Sequence, residues 1–163
     1  MSFDYVKSNS GTDPIVVEAW VAAPPARVFA AWTKPQDVMQ WFGKQPNSLH
    51  SAEIDLRPGG AWRFLWKSEK QVFNGFTGKY IEIAKPQKLS FSWHSITVKD
   101  DGTEETSAES RVDVTFAPHG RGTNIYLLHR DLSSEAARMG VGGGWEAAMT
   151  SFVNIIKADQ PKG

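Results

Sequence analysis

His129 and Tyr80 are the side chains of this sequence that we consider first as candidates for proton transfer. A histidine titrates close to neutral pH, which suits a general acid or a general base. The alternation of Ile125, Leu127 and His129 places this histidine on the inward face of a strand. A buried tyrosine needs a hydrogen-bond partner, and a carbonyl group of a bound molecule would serve. A structural hydrogen bond inside the core is the alternative for both residues, and the sequence leaves the two open.

The other histidines do not form a metal site in the sequence. His50 and His119 fall in predicted loops, His94 has the outward parity of its strand, and no two histidines have a metal-ligand spacing. The chain has no Cys, which excludes thiolate ligands and a thiolate nucleophile. Trp145 stands where a dinucleotide fingerprint beginning at Gly140 requires its third glycine. We therefore predict no metal and no cofactor.

Two groups of charged residues are better explained by solvent exposure than by chemistry. Acidic residues between positions 100 and 109 are expected on a solvated hairpin tip, and they are Asp100, Asp101, Glu104, Glu105 and Glu109. Charged residues on the predicted strands would supply an acid–base pair only if buried, and they are Glu53, Asp55, Arg63 and Glu82. Charges on strand surfaces usually pair across the sheet or remain hydrated.

The overall charge and hydropathy exclude several classes of protein. Lys plus Arg and Asp plus Glu number 18 each, so no net field draws the chain to nucleic acid or anionic lipid. No apolar run approaches the ~20 residues of a membrane span. The first 14 residues are polar and contain no signal-peptide core. We expect a cytoplasmic protein that binds no nucleic acid and does not insert into a membrane.

The spacing of apolar residues predicts the elements that position the candidate residues. Alternating patterns predict strands at residues 15–22, 51–56, 61–67, 73–84, 89–94, 111–116 and 124–129. Pro25 suits a helix start, and Pro35 separates this first helix from a second at residues 36–42. No helix-length segment separates the later strands, so the sheet is expected to be antiparallel.

A final helix carries an apolar stripe formed by Trp145, Met149, Phe152, Val153 and Ile156. A serine at position 133 or 134 is a plausible cap for a short helix at residues 135–139. The glycines at 140 and 142–144 each weaken a helix by about 0.8–1.0 kcal/mol relative to Ala. We therefore predict a break or kink there, with the main helix running from about residue 144 to residues 159–161.

The fold class that follows is α+β. A curved antiparallel sheet of about six or seven strands wraps around the long C-terminal helix, with two short helices after the first strand. At 163 residues the chain fits one domain. We assign residues 1–13 to a flexible lead, 14–159 to the domain and 160–163 to a tail.

Several short segments, in this order, carry a family resemblance. They are APPARVFAAW at 23–32, WFG at 41–43, RPGG at 57–60, FTGKYIE at 76–82, LSFSW at 89–93, LH at 128–129 and GW at 144–145. Together they resemble the SRPBCC (START-like, Bet v 1-like) superfamily, in the branch named for the C-terminal domain of the activator of Hsp90 ATPase. The resemblance covers residues 14–158 and implies a helix-grip fold with a cavity between sheet and helix. The superfamily includes small-molecule carriers, polyketide cyclases and co-chaperone domains, so fold alone does not decide function.

The inward-facing aromatic residues either fill the core or line a ligand pocket. An empty apolar void of about 300 Å³ would cost roughly 7 kcal/mol, so a pocket of that size needs water or a ligand. The predicted ligand-binding residues are Trp62, Phe64, Phe76, Tyr80, Phe91, Trp93, Phe116, Leu127, His129, Trp145 and Met149.

We predict that the pocket binds a hydrophobic or amphipathic small molecule. One alternative is a cyclase or hydrolase acting on a polyketide-like or aromatic substrate, with His129 or Tyr80 moving protons. A second alternative is a chaperone-interaction module, as the family resemblance implies. The oligomeric state is left open by the sequence.

Overall fold

The computed structural model describes residues 5–9, 13–68 and 71–159. The elements in chain order are β1 (Tyr5–Ser8), β2 (Ile15–Val21), α1 (Pro25–Thr33), α2 (Pro35–Trp41), β3 (Ser51–Ile54), β4 (Ala61–Lys67), β5 (Phe73–Ala84), β6 (Lys88–Val98), β7 (Glu104–Thr106), β8 (Ser110–His119), β9 (Gly122–Arg130) and α3 (Glu135–Asp159). This confirms the α+β class and the helix-grip arrangement. None of the helices in these ranges is long and apolar enough to cross a membrane.

The strands form one curved antiparallel sheet in the order β1-β2-β9-β8-β6-β5-β4-β3, with β7 paired to β6 off this path. Strand β6 pairs with β8 through residues 88–93 and with β7 through residues 96–98. The segment 107–109 between β7 and β8 therefore leaves the sheet at that point. The register places His129 between Ile15 of β2 and Val112 of β8, in the interior of the sheet.

The described part of the chain has more strands than the sequence predicted. Strand β1 lies within residues that we assigned to a flexible lead, and its four residues pair with β2. Strand β7 has three exposed residues inside the acidic hairpin. Neither segment is long enough to show a hydrophobic period. Each is therefore recognised as a strand only by its pairing with a neighbouring strand. Positions 1–4, 10–12 and 160–163 of the predicted lead and tail lie outside the described residues.

Helices α1 and α2 begin at Pro25 and Pro35. The sequence predicted the first of these starts and placed the second helix at residues 36–42, one residue later than the structure does. Lys34 has extended backbone angles and ends α1 while it caps the start of α2. The indole Nε1 of Trp41 donates to the carbonyl of Ala31 at 2.9 Å and joins the two helices. The rings of Trp32 and Trp41 lie 4.8 Å apart, so the helix pair presents an aromatic face to the core.

Helix α3 is continuous, so the predicted break at residues 140–144 is wrong. The hydroxyl of Ser134 accepts the Ala137 N–H at 3.1 Å and caps the helix. The C-terminal half of the helix is anchored by buried side chains such as Met149 and Phe152. Helical stability in proteins comes mostly from the packing of such a face rather than from propensity. This packing offsets the cost of the glycines, which local sequence alone does not show.

Candidate functional site

Most of the interior beneath α3 is filled by aromatic rings. The Trp62 ring lies 5.0 Å from that of Phe64 and 5.4 Å from that of Phe91. These residues and Tyr80 surround a void of only about 20 Å³. Four other predicted site residues, Phe116, Leu127, His129 and Met149, are fully buried but line neither this void nor a larger cavity.

A cavity of about 590 Å³ lies beside the N-terminal half of α3. Its walls are α3, the loop after α2, the strands β4 to β6 and the segment between β7 and β8. The lining residues are Phe42, Gly43, Lys44, Gln45, Ser48, Trp66, Phe76, Trp93, Ser95, Ser107, Ala108, Leu132, Ser133, Ala137, Gly140, Val141, Gly144, Trp145 and Ala148. The exposed loop residues among them place its mouth at the protein surface.

The inner wall of this cavity is aromatic. The Trp93 ring lies 4.4 Å from that of Phe76 and 5.2 Å from that of Trp145. Phe42 stacks on Trp66 at 5.7 Å. Trp93 and Trp145 are only 4% and 3% exposed, so they are fixed by the core and present one surface to the cavity. Flat apolar surfaces of this kind are typical of small-molecule sites.

The helical wall of the cavity includes four small residues, which leave space open beside Trp145, and they are Ala137, Gly140, Gly144 and Ala148. Gly140 and Gly144 are one turn apart on α3 and both line the cavity. A Cβ atom added at either glycine would meet no atom within 4 Å. Larger side chains at these positions would occupy the cavity. We interpreted this glycine run in the sequence as a helix break, although it marks the wall of the site.

His129 is held in a chain of hydrogen bonds that joins α3 to the sheet. The Trp145 Nε1–H donates to Nδ1 of His129 at 3.0 Å, so this nitrogen is the acceptor. The proton of the neutral ring is then on Nε2, which donates to the Ser110 hydroxyl at 2.8 Å. That hydroxyl donates to the Trp93 carbonyl at 3.3 Å. Burial lowers the pKa of His129 to about 3, so the ring is neutral and positions Trp145.

Tyr80 is buried away from the large cavity. Burial raises the pKa of its phenol well above the usual value. It borders the small void together with Trp32 and Trp62, whose indole Nε1 atoms have no hydrogen-bond partner among the described residues. Neither Tyr80 nor His129 therefore faces the space where a ligand of several atoms fits.

The charged residues considered in the sequence lie outside the cavity. Arg63 pairs with Glu104 at 3.0 Å, and this hydrogen bond raises the pKa of the Arg63 guanidinium. Glu53, Asp55 and Glu82 are exposed, as is the whole acidic hairpin. Within residues 5–9, 13–68 and 71–159, no group of three or more His, Cys, Asp or Glu side chains could hold a metal ion.

Three of the predicted ligand-binding residues, Phe76, Trp93 and Trp145, line the large cavity. Sequence reasoning missed Phe42 and Trp66, although Trp66 has the same parity as Trp62 and Phe64 and was therefore detectable. The loop residues 43–48 and the segment 107–108 carried no signal in the sequence. Their place in the cavity depends on contacts between segments that are far apart in the chain.

Solved structures with the same fold come from several bacteria. The AHSA1 protein from Silicibacter pomeroyi is 22% identical, covers 90% of this chain and 99% of its own, and superimposes with a TM-score of 0.73. Protein CV1439 from Chromobacterium violaceum is 19% identical over 92% and 99% of the two chains, with a TM-score of 0.72. Protein Ms6760 from Mycobacterium smegmatis is 23% identical over 96% and 98%, with a TM-score of 0.69. At these identities the likeness establishes the fold.

The sequence itself matches one family model across most of its length. No curated protein sequence matches significantly. The model described as activator of Hsp90 ATPase homolog 1-like protein matches residues 22–157, from just after β2 almost to the end of α3. This range contains every described residue that lines the cavity. The chain therefore belongs to the activator of Hsp90 ATPase homolog 1-like family, within the Bet v 1-like superfamily.

Proposed function

We propose that this protein binds a small, largely apolar molecule in the cavity beside α3. The observation that carries the proposal is a space of about 590 Å³ with an aromatic inner wall. Small-molecule sites usually enclose about 300–1,000 Å³ and are lined mainly by apolar and aromatic side chains. The rings of Trp93, Trp145 and Phe76 supply such a lining.

Binding is favoured over the enzymatic alternative by what lines the cavity. An acid–base mechanism needs a proton-transfer group within hydrogen-bond reach of the substrate. The described lining residues include no His, Asp, Glu or Tyr, and their one ionisable side chain is the exposed Lys44. Both ring nitrogens of His129 are already hydrogen-bonded, and Tyr80 lies against the inner void. These placements support a carrier or sensor of small molecules.

The chaperone-interaction alternative stays a prediction. The family description names an activator of the Hsp90 ATPase, and that activity belongs to the protein after which the family is named. Adding this protein to a bacterial Hsp90-type chaperone and measuring ATP hydrolysis tests it directly.

A thermal-shift screen tests the binding proposal. The panel consists of fatty acids, sterols, aromatic polyketides and flavonoids. A ligand that binds only the folded state at one hundred times its dissociation constant stabilises the protein by about 2.7 kcal/mol, which raises Tm by several degrees. Quenching of tryptophan fluorescence gives a second readout, because Trp66, Trp93 and Trp145 line the cavity.

A matched pair of glycine variants locates the binding site. Gly144→Leu places a side chain in the cavity, whereas Gly143→Leu places the same side chain on the exposed face of α3. An added Cβ meets no atom within 4 Å at either position, so both variants are expected to fold. We expect Gly144→Leu to abolish the ligand-induced shift and Gly143→Leu to retain it. Equal binding by the two variants, or no shift with any compound, would contradict the proposal.

A further inference from the structure

The cavity carries one kind of charge at its mouth. Among the described residues that line it, Lys44 has the only ionisable side chain. Lys44 is exposed on the loop between α2 and β3, while the aromatic wall formed by Trp93 and Trp145 is buried. The site is therefore amphipathic, with a cation at the surface and an apolar interior.

The ammonium group of Lys44 has no ion-pair partner within the described ranges of the chain. Three carboxylates of β7 and the segment that follows it contact other side chains. Glu109 contacts Nε2 of His94 at 3.5 Å, and Glu105 pairs with Lys99 at 2.6 Å. Glu104 pairs with Arg63. The positive charge at the cavity mouth is therefore not neutralised by a carboxylate in the cavity lining.

Two hydroxyl groups that line the cavity, those of Ser95 and Ser133, are also available. Ser48 and Ser107 use their hydroxyls within the protein, since Ser48 binds the Gln45 carbonyl at 2.7 Å and Ser107 binds the Ala108 carbonyl at 3.1 Å. The hydroxyls of Ser95 and Ser133 line the cavity and have no such bond among the described residues. Each can donate one hydrogen bond to a bound group.

We infer that the ligand is an apolar molecule with one anionic group, such as a carboxylate. The anion lies at the mouth beside Lys44, with the hydroxyls of Ser95 and Ser133 as further donors. The apolar body lies against Trp93 and Trp145. This inference rests on the proposed function and specifies the chemical class of its ligand.

The physical basis is the attraction between Lys44 and an anion beside a low-dielectric wall. A cleft lined by one sign of charge and bounded by apolar surface concentrates the field at its mouth. Because Lys44 is exposed, water and salt weaken the interaction, and its effect on affinity is modest. We expect a preference for the anion of about threefold to tenfold, which decreases as salt is added.

Three ligands with the same ten-carbon chain test the inference, namely decanoate, 1-decanol and decylammonium. Their dissociation constants are measured by isothermal titration calorimetry with the native protein, Lys44→Met and Lys79→Met. Lys79 is an exposed lysine of β5 that does not line the cavity, so its variant is the matched control. We expect decanoate to bind the native protein and Lys79→Met most tightly. In Lys44→Met the preference for decanoate over 1-decanol is expected to disappear, with 1-decanol binding unchanged.

The outcomes separate this inference from the proposed function. Equal binding of decanoate and 1-decanol to the native protein, or tighter binding of decylammonium, overturns the inference while cavity binding stands. An equal loss of the preference in Lys79→Met also overturns it, because Lys44 would have no special part. If none of the three binds and the wider panel causes no thermal shift, the proposed function fails and this inference fails with it.

Discussion

At the residue scale, His129 has a structural role that the chemistry of its side chain alone does not indicate. Its two ring nitrogens connect Trp145 of α3 to Ser110 of β8. Protonation would place a hydrogen on Nδ1, facing the indole N–H of Trp145, and would break that hydrogen bond. Trp145, which forms part of the cavity wall, therefore keeps this hydrogen bond only while the His129 ring is neutral.

The pH dependence of stability tests this role. The pKa of His129 falls from about 6.5 in the unfolded chain to about 3 in the folded protein. Between these values the unfolded state binds a proton that the folded state does not. The contribution of this group is therefore complete above pH 6.5 and is lost as the pH falls toward 3, at up to about 1.4 kcal/mol per pH unit.

We expect His129→Gln to remove this dependence. Its free energy of unfolding, measured with urea between pH 7 and pH 4, should fall less steeply than that of the native protein. The matched control is His119→Gln, at the exposed histidine that ends β8, which should keep the native slope. Parallel curves for His129→Gln and the native protein would show that His129 does not carry the effect.

At the element scale, the two halves of α3 have different functions. The C-terminal half carries Phe152 and Ile156 into the core, whereas the N-terminal half presents glycines to the cavity and to solvent. A glycine in the sheet allows close packing, whereas the glycines of α3 leave space open. At Gly78 of β5 a Cβ atom would overlap the Ser92 carbonyl, so that glycine allows two strands to approach closely.

Alanine at these two kinds of position is expected to change stability in opposite directions. Gly143→Ala adds a Cβ in open space and should raise the free energy of unfolding by about 0.8–1.0 kcal/mol. Gly78→Ala should lower it by about 1–3 kcal/mol or more, because the backbone must move. Urea denaturation at neutral pH measures both changes. A destabilised Gly143→Ala would mean that α3 depends on its glycines for more than cavity space.

At the scale of the whole molecule, one core joins the sheet to all three helices. Trp32 of α1 stacks on Trp145 of α3 at 5.9 Å, and Trp41 of α2 contacts Phe152 of α3 at 5.1 Å. Phe116 of β8 contacts Trp32 at 5.7 Å. Since these elements share one hydrophobic cluster, none of them has a separate core.

This arrangement predicts a single cooperative unfolding transition. Far-ultraviolet circular dichroism reports the sheet and α3, while tryptophan fluorescence reports the shared aromatic core. The two signals should give the same urea midpoint, as expected for a domain of this size. A fluorescence transition that precedes the loss of circular dichroism would indicate that the aromatic core and the sheet unfold separately.

The sequence by itself determined the order of the principal elements, apart from β1 and β7, and the aromatic face that the main strands bury. The alternation of Phe91 and Trp93 with Ser90 and Ser92 correctly placed the aromatic rings inside, although both serines are buried as well. Pro25 correctly placed the start of α1, and Pro35 correctly separated α1 from α2. These features are local, because backbone geometry couples neighbouring residues to opposite faces of a strand and proline restricts its own helix.

Only the tertiary structure decided where the interior is filled and where it is open. Parity places Trp62 and Phe76 on the same inner face, yet Trp62 borders the small void and Phe76 lines the large cavity. The difference depends on which residues of α3 face the sheet. The interior is packed where bulky residues of α3 meet the sheet, and it is open where Gly140 and Gly144 face it. Cavity volume is set by side chains from segments distant in sequence, so no local pattern contains it.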